Sequence, residues 1–444
     1  MPRRFGDDSR QYTESHPWIS FAVDLNRLSC LDWTRLGEAL AKSDHIINVA
    51  LPPPVSQALH QLYVVKGALA SAQIEGNSLT EDQAMDQVQG KLHLPPTQEY
   101  QAKDFDNIRE ACEMVTREVG DGRDLRLTPE RIKLFNSMVL QGQPIDDDII
   151  PGEVRTHGVV VGSVYAGAPA GDCEFLLEQL CEWLDQMYVD AMSQGLEWQR
   201  CVGIIRAVLA HLYLAWIHPF GDGNGRTARL IEFQLLLSAG FPTPACHLLS
   251  NYYNKTRALY YQALNETSKG DGYPVWKFLS YAIQGFLEEL REQIAVIQDH
   301  QLAIAWVNLV NERRLGSQDE TNSRRHELLL ALTWNGPDEF TSIDKLARLN
   351  TDLAALYATR TSKTLTRDIN ALLKHGLVVL SDDGAGIRPS VEQLFAFLPM
   401  RVQIPLTERE MLQTIADSST SIAEADGNAE SEGQNRAPQP AAAG

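Results

Sequence analysis

The chain of 444 residues has few cysteines and no cysteine pairs. Its six, Cys30, Cys112, Cys173, Cys181, Cys201 and Cys246, are scattered without a CxxC. That distribution argues against a disulfide or zinc framework and for free thiols in a reducing compartment. The N-terminal MPRRFGDDSRQYTESHPW has arginines but no apolar stretch behind them, so it does not read as a secretory leader. No uninterrupted apolar run approaches the roughly 20 residues that cross a bilayer. The expectation is a soluble, cytoplasmic protein with no membrane partner. Basic charge is also in deficit, 39 Lys and Arg against 58 Asp and Glu for a net charge of -19. A field of that sign opposes general binding to nucleic acid, so any nucleotide or DNA contact has to be local. No GxxxxGK[ST] loop occurs, and no glycine fingerprint follows a strand, which removes the two commonest phosphate-binding motifs. No internal repeat is apparent.

What is present is mostly helical periodicity over a composition that is 44% apolar. Apolar positions at helical spacing run over residues 55–75, about 98–118, 128–141, 174–193 and 201–217. The longest helix is expected from about 224 to 239. Valines, glycines and a tyrosine in VRTHGVVVGSVYAGAP, residues 154–169, read as a short β-hairpin. After residue 274 a long helical run leads to a second, smaller domain. There, helices at RRHELLLAL, SIDKLARL and SKTLTRDINALLKHG precede LVVLSDDGAGIRPS, two strands around a glycine turn. This is the order of a winged helix-turn-helix. The last ~30 residues are rich in Ser, Ala, Asp, Glu, Gln and Pro and are expected to stay disordered.

One segment resists explanation by packing. HPFGDGNGRTAR, residues 218–229, sets a histidine, a carboxylate, three glycines, an asparagine and two arginines between two apolar helices. Gly223, Asn224 and Gly225 precede a helix, so their backbone N–H groups and the positive helix end form a nest for an anion such as phosphate. Arg226 and Arg229 share a helical face and can reach back to a polyphosphate. Asp222 stands where a carboxylate, phosphate oxygens and water would satisfy Mg2+. His218 completes the set as a neutral base.

These residues resemble the Fic family signature HxFx(D/E)GNGRxxR, with every signature position filled by His218, Phe220, Asp222, Gly223, Asn224, Gly225, Arg226 and Arg229. The resemblance extends to roughly residues 10–300 and includes IEGNSLT, the hairpin as a flap, and LLSNYYNKTRALYYQAL. It implies a mainly α fold: a Fic-type helical domain with a short β-hairpin flap, beside the C-terminal winged helix. It also implies transfer of AMP from ATP to a Tyr, Ser or Thr hydroxyl of a target protein, the chain itself included. By the same resemblance His218 is the base, Asp222 holds Mg2+, Gly223, Asn224 and Gly225 cradle the phosphates, Arg226 meets the inner phosphates and Arg229 the γ-phosphate. Phe220 anchors the loop, the hairpin pairs with the target as an added strand, and Ser250, Asn251, Tyr252 and Arg257 line the nucleotide pocket. A homodimer is also expected.

The stretch SAQIEGN, residues 71–77, matches the family's inhibitory pattern (S/T)xxxE(G/N) through Ser71, Glu75 and Gly76. Glu75 would pair with Arg229 and take it from the γ-phosphate; alternatively it would activate water to remove AMP from a modified protein. A second alternative is a nucleotide-sensing, DNA-binding regulator acting through the winged helix. Against it, residues 324–400 carry nine acidic and nine basic residues, a balance that favours the winged helix as a protein docking or dimerisation module. His211, one heptad before His218, is too far from it to share an ion and reads as a core histidine; His157 reads as an exposed loop residue. The expected divisions are an N-terminal helical region with the inhibitory helix (1–110), the catalytic domain (111–290), a helical linker (291–322), the winged helix (323–400) and an acidic tail (401–444).

Overall fold

In a computed structural model of the protein, the described residues are 10–394 apart from 124, 163, 270–271, 314–318 and 335–338. The expected acidic tail lies outside them. The chain divides into two compact units, Met1–Arg291 and Glu292–Gly444.

The first unit is almost entirely helical. It comprises α1 (Tyr12–Ser15), α2 (Cys30–Asn48), α3 (Pro53–Ile74), α4 (Glu81–Val88), α5 (Glu99–Gly120), α6 (Pro129–Val139), α7 (Cys173–Met192), α8 (Leu196–Ile217), α9 (Asn224–Ser238), α10 (Thr243–Cys246), α11 (Leu248–Lys255), α12 (Arg257–Lys269) and the start of α13 (Val275–Glu312). Local chemistry sets several of the ends. Ser29 and Asp32 form a capping box at the start of α2, and Thr80 and Gln83 form another at α4. Thr128 caps α6, whose first residue is Pro129, a position where the missing N–H costs nothing. α3 ends in a Schellman motif: Asn77 N–H donates to Ala72 O and Gly76 N–H to Gln73 O, with Gly76 at φ +100°.

α8 is the central helix. Every residue from Val202 to Leu214 is buried, and α7 and α9 pack along it most extensively. By length and apolar composition α8 is the one described helix that could cross a membrane, yet 83% of that stretch is buried inside the unit. The HPFGDGNGRTAR segment follows its C-terminal end, and none of residues 218–229 is exposed. The hairpin is short: β1 (Val160–Val161) pairs antiparallel with β2 (Tyr165–Ala166), Val160 facing Ala166 and Val161 facing Tyr165. α5 runs through residue 110, where the sequence placed a border. The longest helix is α13, not α9, which spans only Asn224–Ser238.

The second unit has its own core. Leu302, Trp306 and Val310 of α13 pack with α14 (Glu320–Trp334), α15 (Thr351–Ala358), α16 (Ser362–Lys374) and a sheet. The sheet is formed by β3 (Thr341–Ser342), β4 (Val378–Leu380) and β5 (Gly386–Pro389), in the order β3-β5-β4 and antiparallel throughout. SIDKLARL is therefore not the middle helix. Its start continues β3 through Ile343 N–H to Ala385 O, and Leu346–Arg348 is one 3-10 turn. The helix begins later because the Asn350 side chain accepts from Leu353 N–H at 2.8 Å, an N-cap that the apolar pattern alone does not reveal.

Candidate active site

The loop between α8 and α9 is shaped by two left-handed residues. His218 closes α8 at φ 48° with its N–H on Leu214 O at 2.9 Å, and Gly223 opens α9 at φ 75°. The Asn224 side chain spans the loop, accepting from Phe220 N–H at 3.0 Å and donating to Phe220 O at 2.9 Å. Phe220 itself is fully buried, in the anchoring place expected of it. Behind the loop, buried Asn136 donates to Asp222 O at 2.9 Å and accepts from Gly152 N–H at 2.9 Å. A Cβ at Gly223 would meet the Asn136 amide at 3.0 Å, so the chain there is pressed against its support.

His218 is mostly enclosed. Its Nδ1 lies 3.4 Å from Ala215 O; a carbonyl only accepts, so this contact puts the proton on Nδ1 and leaves the Nε2 lone pair open. Burial is the largest influence on the ring and pushes its pKa down to about 4, aided by the Arg155 charge and opposed by Glu75 and Asp222. The imidazole is neutral at pH 7. Arg155, which the sequence reading passed over, ties this loop to the flap: it donates to His218 O at 2.7 Å, to His157 O at 2.6 Å and to Ala168 O. Its own N–H reaches Pro219 O at 3.0 Å.

The two arginines are both held by carboxylates. Arg226 Nη1 lies 2.7 Å from Asp104 Oδ1, and its Nη2 lies 3.2 Å from Asp222 Oδ1. Asp104 of α5 is buried, and its other oxygen accepts from the Asn77 amide at 3.1 Å. Arg229 donates through Nε to Ser71 Oγ and through Nη2 to Ser71 O, both at 2.9 Å, and its Nη2 lies 2.6 Å from Glu75 Oε1. Ser71 and Glu75, which the sequence pattern expects to be inhibitory, thus both bond Arg229, and Gly76 follows Glu75 in the chain. Burial works to raise the Glu75 carboxyl pKa, but the charge and hydrogen bond of Arg229 outweigh it and hold it below the usual 4.5. Each guanidinium keeps one buried N–H without a hydrogen-bond partner among the described residues: Nε of Arg226 and Nη1 of Arg229. Buried donors of this kind need an acceptor.

Asp222 is the most exposed carboxylate of the set. Its Oδ1 accepts from Gly223 N–H as well as Arg226. Among the described residues no cluster of three metal-ligating side chains occurs. One carboxylate beside an anion nest fits Mg2+ that takes its remaining ligands from phosphate and water, and does not fit a metal held by protein alone.

Other named residues are spread more widely. Buried His211 bonds Glu232 at 3.2 Å and the Tyr260 hydroxyl at 2.8 Å, which makes it a satisfied core histidine. The Tyr252 ring packs against Gly285 and Tyr281 of α13. Arg257 bonds Asn254 at 2.6 Å. Tyr261 stands nearer the site, with its hydroxyl 3.4 Å from Ile74 O.

The geometry places a helix start opened by Gly223, Asn224 and Gly225 beside a neutral histidine and two buried arginines. Residues 126–236 match the Fic/DOC family. It is 35% identical over 137 residues to protein adenylyltransferase fic-1 of Caenorhabditis briggsae, covering 30% of this chain and 23% of that protein. It is 26% identical over 257 residues to protein adenylyltransferase Fic of Nematostella vectensis, covering 58% of this chain and 55% of that one. The chain thus spans from about a quarter to about half of these relatives. The solved structure of Fic-1 from C. elegans is similar over 60% of this chain and 73% of that chain, at 21% identity and a TM-score of 0.49.

Proposed function

We propose that the protein is an adenylyltransferase that moves AMP from ATP to a Tyr, Ser or Thr hydroxyl of a target protein, itself included, and is restrained by Glu75. The observation that carries this reading is that two buried guanidinium nitrogens, Arg226 Nε and Arg229 Nη1, lack a hydrogen-bond partner among the described residues in the first turns of the helix opened by Gly223, Asn224 and Gly225, beside a neutral His218. In the reaction the hydroxyl oxygen attacks the α-phosphorus and gives its proton to His218 Nε2. The bond from that phosphorus to the bridging oxygen breaks, and pyrophosphate leaves. Gly223, Asn224 and Gly225 offer backbone N–H groups to the phosphates, and Arg226 and Arg229 neutralise them, which is the main work in phosphoryl-type transfer. Asp222 would hold Mg2+, which supplies further charge neutralisation. The exposed β1 edge, with Val160 and Val161 turned outward, suits pairing with an extended target segment.

While Glu75 occupies Arg229, the γ-phosphate lacks its arginine and ATP lies in an unproductive pose. Use of Glu75 as a base for AMP removal is less favoured, because a carboxyl held below its usual pKa is a weak base. The test is intact mass after incubation with ATP and Mg2+, or α-labelled ATP with lysate proteins. Glu75→Gly should gain AMP or label a target. Wild type should do so far less, and Glu75→Gly/His218→Ala not at all. Equal labelling of wild type and Glu75→Gly would remove the brake. Silence from all three in both assays would remove AMP transfer.

A further inference from the structure

We infer that the second unit binds duplex DNA through the exposed face of α16. α15 and α16 are joined by the three residues Thr359, Arg360 and Thr361, the short connection of a helix-turn-helix, in which the second helix enters the major groove. The even count of acidic and basic residues in this region hides how they are arranged. From Thr359 to Gly376 there are four basic residues, Arg360, Lys363, Arg367 and Lys374, against the single acid Asp368. Asp368 is buried on the other side of the helix, where Arg324, Arg325 and the Tyr357 hydroxyl bind its carboxylate at 2.8, 2.9 and 3.0 Å. Its charge is therefore neutralised inside the unit.

Lys363, Thr366, Arg367, Asn370 and Lys374 remain, all exposed and spaced to share one helical face. That face carries no carboxylate, and none of its three cations is ion-paired among the described residues. Arg360 differs, being tied to Glu320. The residue types suit direct readout: arginine matches the guanine edge, asparagine the adenine edge, and the flanking lysines suit phosphates. At 13 residues α16 is about 20 Å long, enough to lie along a major groove. The turn between β4 and β5 carries Asp382 and Asp383, which repel phosphate. The contact therefore belongs to the helix and not to that turn.

The test uses the full chain and a pool of random-sequence duplexes of roughly 30 base pairs, long enough for two half-sites one helical turn apart. The expected result is enrichment of a defined sequence, bound with an affinity that falls steeply with salt. Arg367→Ala should weaken that binding about 10-fold or more and relax preference at one position. Lys363→Ala and Lys374→Ala should weaken all sequences evenly and each lower the salt slope by about one. All three side chains are exposed, so melting temperature should not change. The proposal is overturned if no duplex binds even at low salt, or if the triple variant binds as wild type does. Salt-sensitive binding without enrichment would overturn the base readout by Arg367 and Asn370. Capture of an acidic protein by wild type but not by the triple variant, with no DNA bound, would assign the face to a protein partner.

Discussion

A side-chain carbon at Gly225 would lie 2.1 Å from Glu75 Oε1, so the carboxylate reaches Arg229 only because this position has no side chain. The same missing carbon leaves room for phosphate at the start of α9. Gly225→Ala should therefore displace Glu75 without reproducing its removal, since the methyl group fills the space it clears. In ATP titrations by calorimetry, Glu75→Gly should bind about 10-fold tighter than wild type. Gly225→Ala should not, and tight binding by Gly225→Ala would show that the nest lies elsewhere.

As the proposed base, His218 would act only when neutral, so activity should be lost as pH falls through its folded-state pKa. That value is about 4, set first by burial. Removing Glu75 takes away an influence that raises it. In the Glu75→Gly background, kcat/KM should show no acid limb near the ordinary histidine value of about 6.5. A limb near 6.5 would mean that the ring is solvated in the working enzyme.

Glu75 titrates below its usual 4.5 in the folded chain. A carboxyl depressed in this way contributes stability that is present above the ordinary value and lost as pH falls through the lowered one. The melting-temperature gap between wild type and Glu75→Gln should therefore be constant near neutrality and close in acid below 4.5. A gap that is independent of pH would indicate packing and not charge.

Asp104 holds the buried Arg226 on one side and Asn77 on the other. Asp104→Ala leaves that guanidinium short of a partner and should cost about 3–5 kcal/mol in urea unfolding. Asp104→Asn keeps the shape and should cost less. Equal costs would mean that the charge pair, and not the shape, matters here.

The helices of the first unit were legible because their apolar positions repeat, and the 218–229 loop because its residue types make no sense as packing. Glu75 was legible through a pattern. Asp104, Arg155 and Asn136 were not: each is one polar residue in an ordinary helix or loop, and its importance comes from elements folded against it from far along the chain. α15 was missed for a local reason, since the cap at Asn350 shifts the helix beyond the apolar pattern of SIDKLARL. The face of α16 was hidden by counting charges, because a count cannot show that Asp368 points inward.

α3 is first of all a core helix: Ala68 through Ala72 are buried, and the helix end is fastened by its Schellman turn and by Asn77. Withdrawing the whole helix would expose the interior, whereas rotating the Glu75 side chain breaks one ion pair. The proposed inhibition would then be a Boltzmann distribution between side-chain rotamers, exchanging far faster than catalytic turnover. Such an enzyme idles at a basal rate set by the population of the minor rotamer. A partner that captures the Glu75 carboxylate would then act like a rheostat, scaling the output in proportion to its occupancy.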